Sequence, residues 1–350
     1  MMEPGFEPRV PDGCLRHDAG GSRAVRWCWF LLPWSLFAAG AQACHDSVIR
    51  GLGPIMVRSE APTQVLRLTP MPRDPHLLCA NESQLSFMAN VVSVWARETK
   101  PPTYLLDYQM LDTRVAYTAG LAEGWAYEVS YNDRRIVKVG IDQIAISFHD
   151  SIGFSNDGHD EVARDDIRIS IPSYGIEMND RNTPLYARSF EATLSRHLTE
   201  GGHGLPDSAL SLTVRKSLQS ASPFENGSVD AGIELSTAWP MGRNFLYMNL
   251  AYTLFGSSKF VAIPLKDKQF VGMAAYEWRV VQDESFLMQY LYTEGVVANL
   301  GNLSEPAHEL YIGYKWRLPE VTVELGLIEN LFIYNNSPDF GFSFGLVYPL

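Results

Sequence analysis

Phe340-Gly-Phe-Ser-Phe-Gly-Leu-Val-Tyr348 is the stretch that decides the fold. Phe340, Phe342, Phe344, Leu346 and Tyr348 share one parity, and Gly341, Ser343, Gly345 and Val347 share the other. Successive strand residues point to opposite faces, so this is a strand with one aromatic face and one small, mostly polar face. Three phenylalanines on one face require a core or lipid to cover them. The last strand of a soluble sandwich and the closing strand of a membrane barrel both meet that requirement, so the choice rests on the sequence around it.

Working outward, the same alternation recurs. Leu310, Ile312, Tyr314 and Trp316 share a parity, as do Phe286, Met288, Tyr290 and Tyr292, then Leu246, Met248, Leu250 and Tyr252, then Val229, Ala231, Ile233 and Leu235. The connections alternate in length. Those at 241–244, 282–285 and 318–320 are tight, while those around 217–227, 256–267, 294–305 and 329–338 are longer. Trp125, Trp239, Phe245, Trp278, Phe286 and Trp316 sit beside short turns; Tyr252, Phe255, Phe270, Tyr292 and Phe340 sit beside long ones. Short turns at one end, long loops at the other and aromatic girdles at both rims belong to membrane-spanning barrels. The pattern predicts an all-β, transmembrane, antiparallel up-and-down barrel over 83–350, with about twelve strands and the short turns in the periplasm. A parity slip near Met110-Leu111 predicts a β-bulge in the second strand.

Composition agrees. The formal charge of -12 gives no clustered Lys/Arg footprint for nucleic acid. No internal run of about 18 apolar residues exists for a helical span, which leaves a barrel open because alternating hydropathy averages out. Arg23 and Arg26, the apolar run Trp27 to Gly40, and Ala41-Gln42-Ala43 read as a secretory signal cleaved after Ala43. Residues 1–22 fit neither signal nor fold; with Gly5-Phe6-Glu7-Pro8 they read as translated transfer-RNA sequence ahead of the true start. The unit 1–43 is therefore a spurious extension plus signal. Residues 44–82, with Pro54, Pro62, Pro70, Pro72 and Pro75, read as a periplasmic lead-in, part of which enters the lumen. Cys44 and Cys79 remain after cleavage and could pair in an oxidising compartment.

The rhythm breaks over 136–184. Val137, Ile141, Ile144, Phe148 and Ile152 are spaced as a helical stripe. A strand at Ile167–Ile171 would make the count odd, so it is assigned to this long extracellular excursion, predicted to cap the mouth. Residues 156–166 are expected exposed above the cap and Ile144 buried beneath it. Arg134, Arg135 and Lys138 are expected to meet lipopolysaccharide phosphates. The inward parity collects Glu128, Glu191, Arg215, Asp230, Glu234, Glu277, Glu309, Lys315, Arg317 and Glu324 as lumen-lining candidates. Two readings follow: a salt-bridged lumen, or a narrow conduit whose excess acids favour cations. Arginine at Leu250, outward, is expected to be costly, and at Asn249, inward, milder. Ser195 and His197 share the inward parity and, with Glu191, could form a hydrolase arrangement, but no oxyanion site accompanies them, so no catalytic residue is assigned. Asp157, Asp160, Asp165 and Asp166 could hold Ca²⁺ but lack EF-hand spacing; no metal ligand or cofactor is assigned.

Several motifs together resemble a family. They are Gly51-Leu-Gly-Pro54, Leu105-Leu-Asp-Tyr108, Phe148-His-Asp150, Gly153-Phe-Ser-Asn-Asp-Gly-His-Asp160, Arg164-Asp-Asp-Ile-Arg168 and Ser337-Pro-Asp-Phe340. The chain resembles, from about residue 51 onward, an uncharacterised family of Gram-negative outer-membrane β-barrels catalogued as a domain of unknown function. His159 and Leu350 depart from that family's pattern. The resemblance implies fold and location and carries no activity. The expected function is a non-enzymatic outer-membrane barrel for passage of small solutes or a surface role. The alternatives are a lipid-modifying hydrolase and a transporter of small hydrophobic compounds. Expected partners are outer-membrane lipid, lipopolysaccharide and the barrel-assembly machinery.

Overall fold

The computed structural model describes residues 50–350 apart from 154–157, 183–184, 202–204, 221–226, 258, 261 and 333–335. The strands are β1 (Ser83–Glu98), β2 (Tyr104–Ala122), β3 (Trp125–Val137), β4 (Arg168–Ile171), β5 (Ile176–Asn179), β6 (Ala187–Thr199), β7 (Asp207–Ser220) and β8 (Val229–Met241). They continue with β9 (Asn244–Leu254), β10 (Lys259–Phe260), β11 (Ile263–Pro264), β12 (Lys268–Val281), β13 (Glu284–Thr293), β14 (Ala307–Arg317), β15 (Thr322–Asn330) and β16 (Phe340–Pro349). Without β4, β5, β10 and β11, which lie in connections, twelve remain, each antiparallel to its neighbours in chain order. The ring closes where β16 pairs with β1, from Gln84 opposite Pro349 to Ser93 opposite Phe340. The closing strand is the aromatic stretch read first.

The two faces behave as the alternation requires. On β9, Phe245, Tyr247, Asn249, Ala251 and Thr253 are buried, while Met248, Leu250 and Tyr252 are exposed. The exposed apolar residues continue around the wall through Val115, Val129, Phe190, Leu212, Ile233, Met288, Ile312 and Leu325. An apolar belt around a closed barrel faces lipid, since water would penalise it everywhere. Trp278 and Phe286 at the short-turn rim, and Tyr252 and Phe270 at the other, face out. Two girdle assignments are corrected. Phe245 is buried, and Phe255 packs on the internal core under the Arg67 guanidinium. Both have the odd parity that points inward on this strand and its extension. The predicted bulge at Met110-Leu111 is also absent, because the β1–β2 register runs unbroken from Ser83–Ala119 to Glu98–Tyr104. Met110 is apolar because the upper lumen is an apolar core, and Leu111 because the outside is lipid; no extra residue is needed.

Among its described residues, the excursion between β3 and β6 holds one α-helix, α1 (Ile141–Ile152), followed by β4 and β5. Helix α1 lies against the outer wall at β1 and β16. Ile141 and Ala145 pack with Phe340, and Val91 and Phe148 join them. Ile144, expected buried, is 47% exposed, because the covered face runs through Ile141, Ala145 and Phe148. Strand β4 extends the sheet from the end of β2 (Leu105–Ser170) and pairs with β5. Ile169, Ile171, Ile176 and Met178 join the inward Leu106, Tyr108 and Ile136 in one apolar cluster. Val296, Val297, Leu300 and Leu303, from the β13–β14 connection, belong to the same cluster.

Candidate functional site

The lumen is filled by the chain's own lead-in. Residues 57–72 are buried without a break. Their path is irregular apart from a single 3-10 turn at Gln64–Leu66, so their backbone groups need partners from elsewhere. The wall supplies them. Leu52 N donates to both carboxylate oxygens of Glu277 at 2.9 and 3.0 Å, and Ile55 N to Gln289 Oε1 at 2.9 Å. Met56 N donates to Glu324 Oε1 at 3.0 Å, Glu60 N to Glu309 Oε1 at 2.9 Å and Leu68 N to Asp230 Oδ2 at 3.2 Å. Carbonyls are met in the same way: Lys315 Nζ donates to Pro54 O at 2.6 Å, Tyr311 Oη to Arg58 O at 3.2 Å and Asn249 Nδ2 to Arg73 O at 3.1 Å.

The Gly51-Leu-Gly-Pro54 motif now has a reason. A Cβ at Gly51 would collide with the Tyr247 hydroxyl and the Glu277 carboxylate, and Gly53 sits at φ 79°, in the left-handed region. Both glycines let the chain turn against the anchoring glutamate.

Ion pairs complete the fit. Arg58 donates to Glu191 Oε1 at 2.8 Å and Asn132 Oδ1 at 2.5 Å. Arg67 pairs with Asp230. Arg73 reaches Glu128 at 2.8 Å and Glu234 at 3.5 Å. Within the wall, Lys315 meets Glu324 at 2.8 Å and Arg215 meets Asp230 at 3.5 Å. Of the ten lumen candidates, nine converge on this network: Glu128, Glu191, Arg215, Asp230, Glu234, Glu277, Glu309, Lys315 and Glu324. Arg317 is exposed at the short-turn end, where it lines a 480 Å³ cavity with Arg50, Arg73, Arg114 and Glu128. The wall's acids complement Arg58, Arg67 and Arg73 of the lead-in.

Sequence reading missed Arg134 and Asp112. Arg134, expected at the rim, is fully buried and reaches Asp112 at 3.0 Å. The signal was present, since Arg134 shares the parity of Glu128 on β3. Arg135 is exposed on the opposite parity and pairs with Asp133 at 2.6 Å, and the exposed Lys138 lies 3.6 Å from Asp180. Ser195 and His197 are not joined to each other: Ser195 Oγ shares a 2.8 Å hydrogen bond with Ser211 Oγ. Near the short-turn end His76 lies between Asp74, at 2.6 Å, and Asp207, at 3.2 Å. Burial lowers its pKa, but the two carboxylates outweigh this and lift it to about 10. Cys79 is disulfide-bonded to a partner outside the described residues. The signal region, Cys44, Asp157 and the Asp160 side chain also lie outside them. Asp165 accepts a hydrogen bond from Gln109.

The model of the family "Protein of unknown function (DUF3187)" matches residues 34–350, and the chain belongs to that family. No curated protein matches it. Among solved structures, the COG4313 outer membrane channel from Pseudomonas putida F1 is 9% identical, with 80% of this chain and 99% of that one covered and a TM-score of 0.52. The NanC porin is 8% identical, with 76% and 100% covered and a TM-score of 0.46. The translocator domain of autotransporter NalP from Neisseria meningitidis is 9% identical, with 76% and 88% covered and a TM-score of 0.40. At these identities the likeness to the Pseudomonas channel carries the fold and nothing finer.

Proposed function

We propose that this member of the DUF3187 family is a plugged barrel of the Gram-negative outer membrane, non-enzymatic, in which solutes pass only when the lead-in shifts. In this reading the short turns are periplasmic and the long connections extracellular. The belt meets outer-membrane lipid, the exposed Arg135 and Lys138 lie near lipopolysaccharide phosphates, and the closing strand engages the barrel-assembly machinery. One observation carries the reading: the lead-in from Leu52 to Arg73 is held to the wall by hydrogen bonds and ion pairs. Polar contacts of this kind can be exchanged for water when a segment moves, while the apolar contacts of Ile55, Val57, Val65 and Leu66 keep it seated at rest. The plug is thus specific in its seat and displaceable.

Planar-bilayer recording tests this. Intact protein should be silent, and a variant lacking residues 51–78 should conduct steadily. Deleting 136–184 instead should leave the lead-in seated and the conductance low. Steady conductance of the intact protein at a unit size matching the 51–78 deletion would refute the plug.

The hydrolase alternative has no support in the site, because Ser195 is bonded to Ser211 inside the lumen and faces no lipid. A hydrophobe transporter would need an apolar lumen pocket with a lateral opening. The apolar part of this lumen is instead packed, with Ile55, Val57, Val65 and Leu66 of the lead-in filling it.

A further inference from the structure

We infer that Asp107, Asp142 and His159 form a divalent-metal site that pins the long excursion to the outer wall of the barrel. Three separate elements meet there. Asp107 lies on β2 with the outward parity of Gln109, Asp142 lies in the first turn of α1, and His159 opens the 3-10 turn His159–Glu161. An outward aspartate on a barrel strand would face lipid or water; here the excursion covers it, and all three residues are buried. One donor atom from each lies within 4.8 Å of the others.

The imidazole is the decisive group. His159 is 2% exposed, and its Nε2 has no hydrogen-bond partner. That atom faces Asp142 Oδ2 at 3.8 Å and Asp107 Oδ1 at 3.9 Å, too far for a hydrogen bond. A point equidistant from three atoms so spaced lies at most about 2.5 Å from each, against about 2.0–2.2 Å for zinc bonds to nitrogen and carboxylate oxygen. A contraction of a few tenths of an ångström therefore closes the site around one ion.

The surroundings fix the donors. His159 Nδ1 faces Asp339 Oδ2 at 3.4 Å, the carboxylate partner that orients metal-bound histidines and leaves the Nε2 lone pair to the ion. Trp95 stacks on the ring at 4.7 Å with an interplanar angle of 7°. Asp142 is aimed by the Ser93 hydroxyl, donating to Oδ1 at 2.9 Å, and by Asp165 N, donating to Oδ2 at 2.9 Å. Three carboxylates, of Asp107, Asp142 and Asp339, surround one imidazole. A His159 imidazolium would offset one of them, and a divalent cation with neutral imidazole offsets two; His149, 3.9 Å from Asp339, is itself engaged by Glu329 at 3.2 Å. One nitrogen and two oxygen donors suit zinc and its neighbours, whereas calcium takes six to eight oxygens.

The test uses the full mature chain in detergent after chelator treatment, with Zn²⁺ and Ca²⁺ as titrants in calorimetry and trypsin cleavage of the excursion at Arg164 and Arg168 as a second readout. Zinc should bind once per chain and slow the cleavage. His159→Gln should weaken binding at least tenfold and abolish the protection, while its barrel remains heat-modifiable on gels. Asp339→Asn, which leaves all three donors, should weaken binding about 10–100-fold. Three results would each overturn the site: no stoichiometric zinc binding by the wild type, unchanged binding by His159→Gln, or calcium binding tighter than zinc.

Discussion

Arg58→Met is the most direct perturbation of the plug. Arg58 is 1% exposed and gives two short charge-assisted hydrogen bonds, to Glu191 and Asn132, with Asp112 at 3.9 Å. Methionine keeps much of the length and none of the charge. Hydrogen bonds to charged groups contribute about 1.5–3 kcal/mol each. Breaking a buried pair from one side costs about 3–5 kcal/mol, because the remaining charge is stranded. Neither carboxylate is fully stranded here, since Arg215 stays 4.0 Å from Glu191 and Arg134 stays 3.0 Å from Asp112. The lower end therefore applies, about 3 kcal/mol, or roughly a hundredfold in the population of the released lead-in. A cysteine at Val57, which is fully buried in the wild type, reports that population. When reseating is fast, the rate of modification by a charged thiol reagent follows the open fraction. The rate should rise about a hundredfold in Arg58→Met, and Arg58→Met with Glu191→Gln should recover part of the loss, since no bare carboxylate remains. An unchanged rate would mean that the ion pairs do not hold the lead-in.

Leu250→Arg, on a side chain 46% exposed on the belt, should lower stability by about 2–4 kcal/mol in urea titration of protein refolded into lipid, without altering Val57Cys labelling. Asn249→Arg, which inward parity alone marks as mild, should cost about 1–3 kcal/mol and raise that labelling, because Asn249 holds Glu234 at 2.7 Å and the Arg73 carbonyl. His76 has a folded-state pKa raised to about 10 against about 6.5 for the unfolded chain. Its stabilisation is complete below about pH 6.5 and is lost as pH rises through about 10. The urea midpoint of the wild type should therefore fall across that window more steeply than that of His76→Gln; parallel curves would remove His76 from the seat. Wild type and Ser195→Ala should both release no fatty acid from mixed micelles, and activity lost specifically in Ser195→Ala would revive the hydrolase alternative.

The barrel was legible because its grammar is local. A period of two, read against a lipid exterior, sorts Phe342 and Tyr348 from Gly341 and Ser343 and needs only neighbours along the chain. Alternating turn lengths then give an even meander, and the single closing contact, β16 on β1, follows from the count. Eight residues of the inward parity, Glu277, Glu309 and Glu324 among them, hold the lead-in, while Arg215 pairs within the wall. Where the reading failed, the cause was a surface defined by another part of the chain. Phe245 is aromatic at a rim yet inward, because the lumen there is packed. Ile144 belongs to an apolar stripe yet is exposed, because the helix offers Ile141, Ala145 and Phe148 to Phe340 and Val91.

Only the tertiary structure decided what the inward polar residues are for. Glu277, Glu309 and Glu324 could equally line a salt-bridged lumen or a narrow conduit, because a sequence shows the parity of a charge and not what stands opposite it. Opposite stands an irregular, proline-rich segment in which amides such as those of Leu52, Met56 and Glu60 take side-chain acceptors from the wall. Asp107, Asp142 and His159 were likewise unreadable as a group. They lie on a strand, a helix and a turn far apart in the chain, and they meet only because the excursion folds back along the outside of the barrel. Alternation along a strand is set by bonds between neighbours, whereas the meeting of distant groups is set by the free energy of the whole fold.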